Sequence, residues 1–480
     1  MSNIENNSTA SARILQALGQ TKTLLIELGE IFQKSGYEIS LVGGPVRDAI
    51  LGKNVKDLDL TTNATPKEIQ NILKNWAEDI WDVGIKFGTV GAKKNDFIFE
   101  ITTYRTEQYE DTSRKPSVEF GQTLEEDLAR RDFSINAMAL KLPNFELIDI
   151  YNGLTDLNNK TLKTPLSAEI SFSEDPLRML RAARFISKLD LTPTNEILDS
   201  MNKLSERINI VSMERINDEF NKLLLTNKPR KGIELLVESG VATHFLPELP
   251  ALKLEIDEHH HHKDVYQHSL TVLDQVIDLE TKHEPKSEPD LVLRLAALFH
   301  DIGKPKTRKF EGEGRVSFHH HEVVGARLAK KRLEKLRYAK ETIEQVTLLI
   351  ELHLRFHGYG DGKWTDSAVR RYVRDAEDQL LRLHKLTRAD CTTRNVNKAE
   401  KLRKAYDDLE NRIIELSKQE ELKSMRPELD GEQIMKILGI KPGPEVGKAY
   451  QFLLDLRLDQ GILGEDKVIE ELKNWWAKNK

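Results

Sequence analysis

The stretch LVGGPVRDAILGKNVKDLDL, residues 41–60, constrains the fold more than any other part of the chain. An apolar, strand-like run ends on Gly43 and Gly44. Pro45 stands where the first turn of a helix tolerates it, and Gly52 marks the helix stop. A second strand, VKDLDLTTNATP, follows at once. In a strand, residues two apart share a face, so Asp57 and Asp59 point one way while Leu58 and Leu60 point toward packing. Two carboxylates side by side repel. A hard divalent ion such as Mg²⁺ offsets that repulsion, bridges phosphate oxygens and helps activate an attacking hydroxyl. Gly43 and Gly44 let backbone amides approach a ligand, the following helix offers its positive end to phosphates, and Arg47 adds a charge-assisted contact. A lone GGP is a turn and a lone DLD a strand edge; their order here points to a phosphate-and-metal site.

Around this stretch the chain alternates helix and strand. Residues 11–36 carry Ile14, Leu18, Leu25, Leu28 and Phe32 on one apolar stripe and predict a helix. PKEIQNILKNWA reads as helix, and FGTVGAK, DFIFEITTY and NFELIDIY read as strands, giving an α/β order with a small sheet up to about residue 160. The loop 106–127 is polar without a period. From residue 161 strand signals vanish and long amphipathic segments follow. The 480 residues allow about three domains, and the segments divide into a head (1–160), a helical neck (161–254), a histidine-rich part (255–392) and a charged helical tail (393–480). The net charge of −6 excludes a polycation, so any nucleic-acid surface is a local basic patch. The single cysteine, Cys391, excludes an internal disulfide framework and fits a reducing cytosol. The polar start MSNIENNSTA lacks the order of a signal peptide, and no run of about 18 apolar residues predicts a membrane span.

Further acids and arginines extend the first site. Glu100, in FEITTYR, is a candidate third carboxylate or a solvated strand residue, and Asp96 has no better claim. EEDLARRDFSINAMAL gathers Arg130, Arg131, Asp132 and Asn136 before an apolar stretch; paired arginines suit triphosphate or ribose, and the alternative is a solvated helix start capped by Asp132. In SEDPLRMLRAARF, Asp175 and Pro176 suit a helix cap and first turn. Asp175 and Arg178 also share a helix face, where an acceptor and a donor can present a Watson–Crick-like edge to a base, with Arg181 and Arg184 following. Cap and base reader both stand on these residues alone.

A second cluster lies between residues 255 and 390. His268 sits on an amphipathic helix, His300 and Asp301 precede a Gly-Lys-Pro break, His319, His320 and His321 precede another helix, and His353 and Asp390 follow. Imidazoles and carboxylates together suit a divalent metal that activates water. The internal run His259–His262 reads as a solvated loop in preference to a peripheral metal contact.

LVGGPVRDAILG, KDLDLTTNATP, RRDFSINAMA and EDPLRMLRAARF, in this order, resemble the class II nucleotidyltransferase superfamily of CCA-adding tRNA nucleotidyltransferases and bacterial poly(A) polymerases. The resemblance covers about residues 30–250. It implies an α+β head built on a small mixed five-stranded sheet, then an all-α neck, body and tail. It further implies Mg²⁺ on Asp57 and Asp59, the triphosphate at Gly43, Gly44 and Arg47, and CTP or ATP paired with Asp175 and Arg178 in place of a nucleic-acid template. MERINDEF resembles a further neck motif, with Arg215 and Glu219 as its polar members or as an ordinary ion pair four residues apart. The histidine section resembles the HD phosphohydrolase superfamily. Matching its H…HD…D order implies His268, His300, Asp301 and Asp390 as ligands of Mg²⁺, Mn²⁺, Co²⁺ or Ni²⁺, with His321 and His353 matching extra histidines of some members. DEHHHHKDVYQHSLTVLDQ is similar to the actinobacterial type of HD-containing CCA-adding enzyme.

The expectation is therefore addition of C, C and A to a tRNA 3′ end from CTP and ATP. The loop 106–127 is a candidate for switching selection from C to A, and the stretches AKKRLEKLRYAK and KAEKLRKAY are candidates for tRNA phosphates or plain solvated faces. A poly(A) polymerase, an enzyme adding only CC or only A, a phosphohydrolase with an RNA-binding head and a non-catalytic tRNA-binding protein are the competing readings. Oligomeric state is not legible in the sequence.

Overall fold

Leu58 and Leu60 are buried, as their alternation requires, and they anchor the sheet that carries the first site. The computed structural model describes residues 7–55, 57–84, 88–108, 117–120, 123–254, 264–311, 315–356, 365–391, 396–419 and 425–479. It divides into two units, 1–247 and 248–480.

In the first unit, strands β1 (Ile39–Val42), β2 (Leu58–Thr62), β3 (Asp79–Gly84), β4 (Thr89–Lys94), β5 (Phe97–Thr103), β8 (Ala139–Lys141) and β9 (Glu146–Ile148) form one sheet in the order β3-β4-β5-β2-β1-β8-β9. Only β2 and β5 pair in parallel; the remaining neighbours are antiparallel, so the sheet is mixed as expected. It has seven strands where five were expected. β3 and β8 lack a readable alternating pattern, and β8 is three residues long. β6 (Arg105–Gln108) and β7 (Ser117–Phe120) form a separate hairpin inside the stretch expected as a polar loop, of which 109–116 and 121–122 lie outside the described residues.

The helices of the head are α1 (Asn7–Leu18), α2 (Thr21–Lys34), α3 (Gly44–Ile50), α4 (Pro66–Leu73), α5 (Leu124–Ala129) and α6 (Gly153–Asn158). The single helix expected over 11–36 is two, broken at Gly19–Gln20, because glycine is the poorest helix former in that stretch. Its apolar stripe is nonetheless buried as read: Ile14, Leu18, Leu25, Leu28 and Phe32 all lie in the core. Thr65 and Glu68 form a reciprocal capping box at the start of α4.

The neck is α7 (Ala168–Glu174), α8 (Leu177–Leu189), α9 (Asn195–Leu204), α10 (Met213–Leu224), α11 (Pro229–Glu238) and α12 (Val241–Phe245). Strand structure does not vanish at 161: β10 (Thr161–Leu162) pairs in parallel with β11 (Thr192–Pro193). Leu180, Ala183, Ile186, Phe220 and Leu236 form a buried seam among α8, α10 and α11.

The second unit holds α13 (Glu248–Ala251), α14 (Val265–Lys282), α15 (Leu291–Phe299), α16 (Lys304–Thr307), α17 (His321–Lys335), α18 (Lys340–Leu352), α19 (Asp366–Ala376), α20 (Leu380–Asp390), α21 (Val396–Gln419), α22 (Gly431–Leu438), α23 (Pro444–Gln460) and α24 (Glu465–Asn479). One hairpin, β12 (Lys309–Glu311) with β13 (Arg315–Ser317), interrupts the helices between α16 and α17. A buried ion pair, Arg294 Nη2 to Glu280 Oε2 at 2.6 Å, joins α15 to α14. Leu429, Ile434, Leu453, Val468 and Leu472 form a separate small core for the last three helices. The run His259–His262 lies outside the described residues. Among the described residues no helix is long and apolar enough to cross a membrane.

Candidate functional site

Asp57 and Asp59 are both exposed, with Leu58 and Leu60 buried between and beyond them, so the two carboxylates share a face. The parallel register of β2 and β5 sets Glu100 directly opposite Asp59, and Glu100 is exposed as well. The three acids repel. Asp59 is accessible yet crowded by protein: partial burial is the largest cause of its raised pKa, Glu100 and Asp57 push the same way, and only Arg131 opposes them. A cation relieves that repulsion, and the donor set is all oxygen, which suits Mg²⁺. The head acids do not converge into a compact trio; among the described residues, trios with ligand atoms within 4.8 Å occur only in the second unit. Asp96 is elsewhere, in the β4–β5 turn at φ +66° beside Lys93 at 3.7 Å.

Gly43 precedes α3 with φ +73° and ψ −131°, a conformation closed to other residues. A Cβ on it would lie 2.8 Å from Arg131 Nη1, so the glycine also makes room for that guanidinium. Gly44 opens the helix, with Pro45 in its first turn. Arg131 donates from Nη2 to the buried Asp127 at 3.1 Å, which fixes its stem while its charge reaches Asp59.

The other polar residues expected at the nucleotide form an internal network. Arg47 is buried; it donates to Asp48 Oδ1 at 2.9 Å and to Asn136 Oδ1, and it stands 5.1 Å from the ring centre of Phe185. It therefore ties α3 to α8, with Nη2 3.7 Å from where a Cβ on Gly44 would lie. Asp132 is buried, contrary to a solvated cap. It accepts from Phe133 N–H and from Asn136 Nδ2, both at 2.9 Å, and from Arg181 Nε and Nη2 at 2.8 and 2.6 Å. Burial disfavours its charge, but Arg181 and Asn136 outweigh burial and bring its pKa down to about 2. Arg184 Nε donates to the buried Glu219 at 2.7 Å, and Arg181 lies 3.4 Å from the same carboxylate.

Asp175 and Arg178 lie one turn apart. Asp175 Oδ1 accepts from Leu177 N–H at 3.2 Å, so the cap exists, and its Oδ2 meets Arg215 Nη2 at 3.2 Å. The alternative reading of Arg215 and Glu219 as an ion pair with each other is not what forms: Arg215 meets Asp175 and Glu219 meets Arg184. Arg178 is mostly buried, donating to Ser171 Oγ at 2.8 Å and to the Arg130 carbonyl at 2.7 Å. It borders a cavity of about 210 Å³ that also touches Arg130, Arg131, Leu166 and Ile170. No local pattern marks that cavity, although Leu166 and Ile170 are apolar residues left exposed.

In the second unit all six expected ligands meet. His268 comes from α14, His300 and Asp301 from the end of α15, His321 from the start of α17, His353 from the end of α18 and Asp390 from the end of α20. Two trios have ligand atoms within 4.8 Å: His268, His300 and Asp390, and Asp301, His321 and His353. Asp301 joins them, with Oδ2 at 3.2 Å from His300 Nε2 and Oδ1 at 3.3 Å from His321 Nε2. His300, His321 and His353 each turn Nδ1 to the carbonyl three residues earlier, at 2.8, 2.8 and 2.5 Å. That bond places a proton on Nδ1 and turns Nε2 toward the cluster, the orientation of a metal-ligating imidazole. His353 Nε2 is buried with no hydrogen-bond partner, so the cluster fits a divalent cation. Burial disfavours charge throughout. Asp301 and Asp390 nevertheless stay well below the usual carboxylate range through His300, and the two acids in turn hold His300 up at about 10. Burial and the charge on His300 push His353 down to about 3. Gly303 makes the assembly close: a Cβ there would meet the His321 carbonyl at 2.1 Å. His319 and His320 point to solvent.

Three family models match in sequence order: the poly A polymerase head domain over 39–163, the probable RNA and SrmB-binding site of polymerase A over 190–252, and the HD domain over 265–395. A CCA-adding enzyme of Streptococcus agalactiae is 31% identical over 92% of this chain and 94% of its own length. The chain belongs to the CCA-adding enzyme family. A second CCA-adding enzyme, from Streptococcus gordonii, is 40% identical over 230 residues, where the match spans 56% of that protein and 48% of this chain. The actinobacterial subtype expected from the histidine section draws no support from these streptococcal members. A CCA-adding enzyme solved in an apo form has the same fold, with a TM-score of 0.68 at 20% identity over 97% of this chain and 98% of its own. The Thermotoga maritima CCA-adding enzyme complexed with tRNA follows at 0.63 and 19%, over 97% and 98%.

Proposed function

We propose that the chain adds C, C and A to tRNA 3′ ends from CTP and ATP without a nucleic-acid template, releasing pyrophosphate. The observation that carries this is the shared, exposed face of Asp57 and Asp59, with Glu100 opposite and Gly43 and Arg131 alongside. Magnesium on Asp57 and Asp59 supplies charge neutralisation at the phosphates and a lowered pKa for the attacking 3′-hydroxyl. The chain's own groups do the rest. Gly43 and Gly44 leave backbone room for the triphosphate, and Arg131 adds positive charge beside it. Asp175 and Arg178 select the base; Arg47, Asp132, Asn136, Arg181 and Arg184 hold those two elements in place through the network described. The family's membership and tRNA-bound fold relatives support a tRNA substrate, and the absence of any apolar spanning helix among the described residues accords with a cytosolic setting. Incubating tRNA that lacks its CCA end with each nucleotide singly and then mixed, and sequencing the product 3′ ends, tests the reading. Runs of A would favour the poly(A) alternative, and products stopping at CC would favour a partial enzyme.

We also infer that the six-residue cluster binds divalent metal and hydrolyses phosphoesters. The carbonyl-fixed imidazoles and the unpartnered His353 Nε2 support it. Purified protein assayed with 2′,3′-cyclic AMP and Mn²⁺, Co²⁺ or Ni²⁺ tests it; no turnover with any of the three argues for a structural centre.

A further inference from the structure

Between its ligands Asp301 and His321 the second unit sends out the β12–β13 hairpin, with Phe310 opposite Val316. Phe310 is 76% exposed, more than any other large apolar side chain among the described residues. Arg308 lies 5.1 Å from its ring centre, and Lys306, Arg308 and Lys309 are all exposed. Residues 304–317 carry five basic side chains (Lys304, Lys306, Arg308, Lys309 and Arg315) against two acidic ones, Glu311 and Glu313. The hairpin is rooted in the metal cluster at both ends. Lys304 Nζ stands 2.9 Å from Asp301 Oδ2, and the Phe318 carbonyl accepts from His321 Nδ1 at 2.8 Å. Val316, the partner of Phe310, is two residues from Phe318, roughly 7 Å along the strand.

A two-stranded hairpin gains little stability of its own, and an exposed phenyl ring forfeits the stabilisation that burial would give it. The ring contributes nothing to a core, and one cation at its side leaves most of it open. An aromatic face framed by cations is the chemistry that stacks a nucleobase and holds the adjoining phosphates. We propose that this hairpin is a stacking platform for a base near the end of a single-stranded polynucleotide, and that it delivers the terminal phosphate to the His/Asp cluster. The proposal rests on reading that cluster as a phosphoester-hydrolysing centre. Hydrolysis there joins a water oxygen to phosphorus and breaks the ester bond. The leaving ribose oxygen takes a proton from the water, so the products are a hydroxyl end and inorganic phosphate.

The full chain with Mn²⁺ is assayed on a single-stranded RNA tetranucleotide bearing a 3′-phosphate and on glycerol 2-phosphate, which has no base. The tetranucleotide is expected to be at least tenfold better in kcat/KM. Phe310→Ala should lower that value about 5- to 100-fold, the range for losing one stacked base, while glycerol phosphate turnover stays within twofold and Phe310→Tyr retains the preference. Turnover of glycerol phosphate with no preference for the tetranucleotide, or an equal loss on both substrates, overturns the platform and leaves the hydrolytic centre standing. If neither substrate turns over with Mn²⁺, Co²⁺ or Ni²⁺, the hydrolytic reading fails. The platform is then decided by photocrosslinking a 4-thiouridine tetranucleotide: a crosslinked peptide containing Phe310 upholds it, and crosslinks confined to 39–252 overturn it.

Discussion

Asp132→Asn removes one charge from the interior of the first unit and changes almost nothing else in shape. Asp132 is buried and accepts four hydrogen bonds, two of them from Arg181. Its pKa stands at about 2 against an ordinary 3.8. At about 1.4 kcal/mol per tenfold change in an equilibrium, the fold favours the anion by roughly 2 to 3 kcal/mol. The folded value is the lower one, so this stabilisation is complete above about pH 4 and is lost as pH falls through about 2. At pH 7 the variant should therefore lose the full amount. Native-state hydrogen exchange of the peptide covering α8 reads it directly, and its protection should fall roughly 30- to 150-fold. The peptide covering α15, in the other unit, should not change. A drop below threefold at α8 would refute the idea that Asp132 and Arg181 lock this helix.

Asp57→Ala or Asp59→Ala should abolish nucleotide transfer while tRNA binding, measured by filter retention, persists; normal addition by either variant contradicts the metal assignment. Glu100→Gln should raise the magnesium concentration for half-maximal transfer several-fold, and an unchanged requirement makes Glu100 a plain strand residue. Gly43→Ala places a Cβ 2.8 Å from Arg131 Nη1 in a disfavoured backbone region, at a cost of about 1–3 kcal/mol; transfer should fall at least tenfold, with far-UV circular dichroism unchanged. Asp175→Ala should damage the choice between CTP and ATP more than tRNA affinity, and retained discrimination leaves Asp175 as a cap alone.

The parts of the head that follow a local period were legible. Asp57, Leu58, Asp59 and Leu60 alternate in the sequence and alternate in burial, because a pleated strand imposes that period. The six residues of the second cluster came from the resemblance to HD proteins, and the structure brings them together, although nothing local in the sequence shows that three imidazoles share one carbonyl-bonded geometry. The internal partners of Arg47 were not legible because they are distant: Asn136 lies 89 residues on, and Phe185 lies on another element. Arg215 and Glu219 sit at ion-pair spacing on α10, yet stronger partners on neighbouring segments claim each of them. β8 and the hairpin strands are too short for their pattern to rise above the surrounding loop.

If Asp175 reads the base as proposed, its contact with Arg215 has a consequence for the choice. Asp175 Oδ1 accepts from the backbone and Oδ2 meets Arg215, so in the proposed base-reading role an arriving amino group shares or contests that oxygen with the guanidinium. On that proposal, recognition is a competition between two donors, with small net affinity and a larger difference between a base that supplies a matching donor and one that does not. Weak capture with sharp rejection suits a machine that must release its grip after every residue it adds.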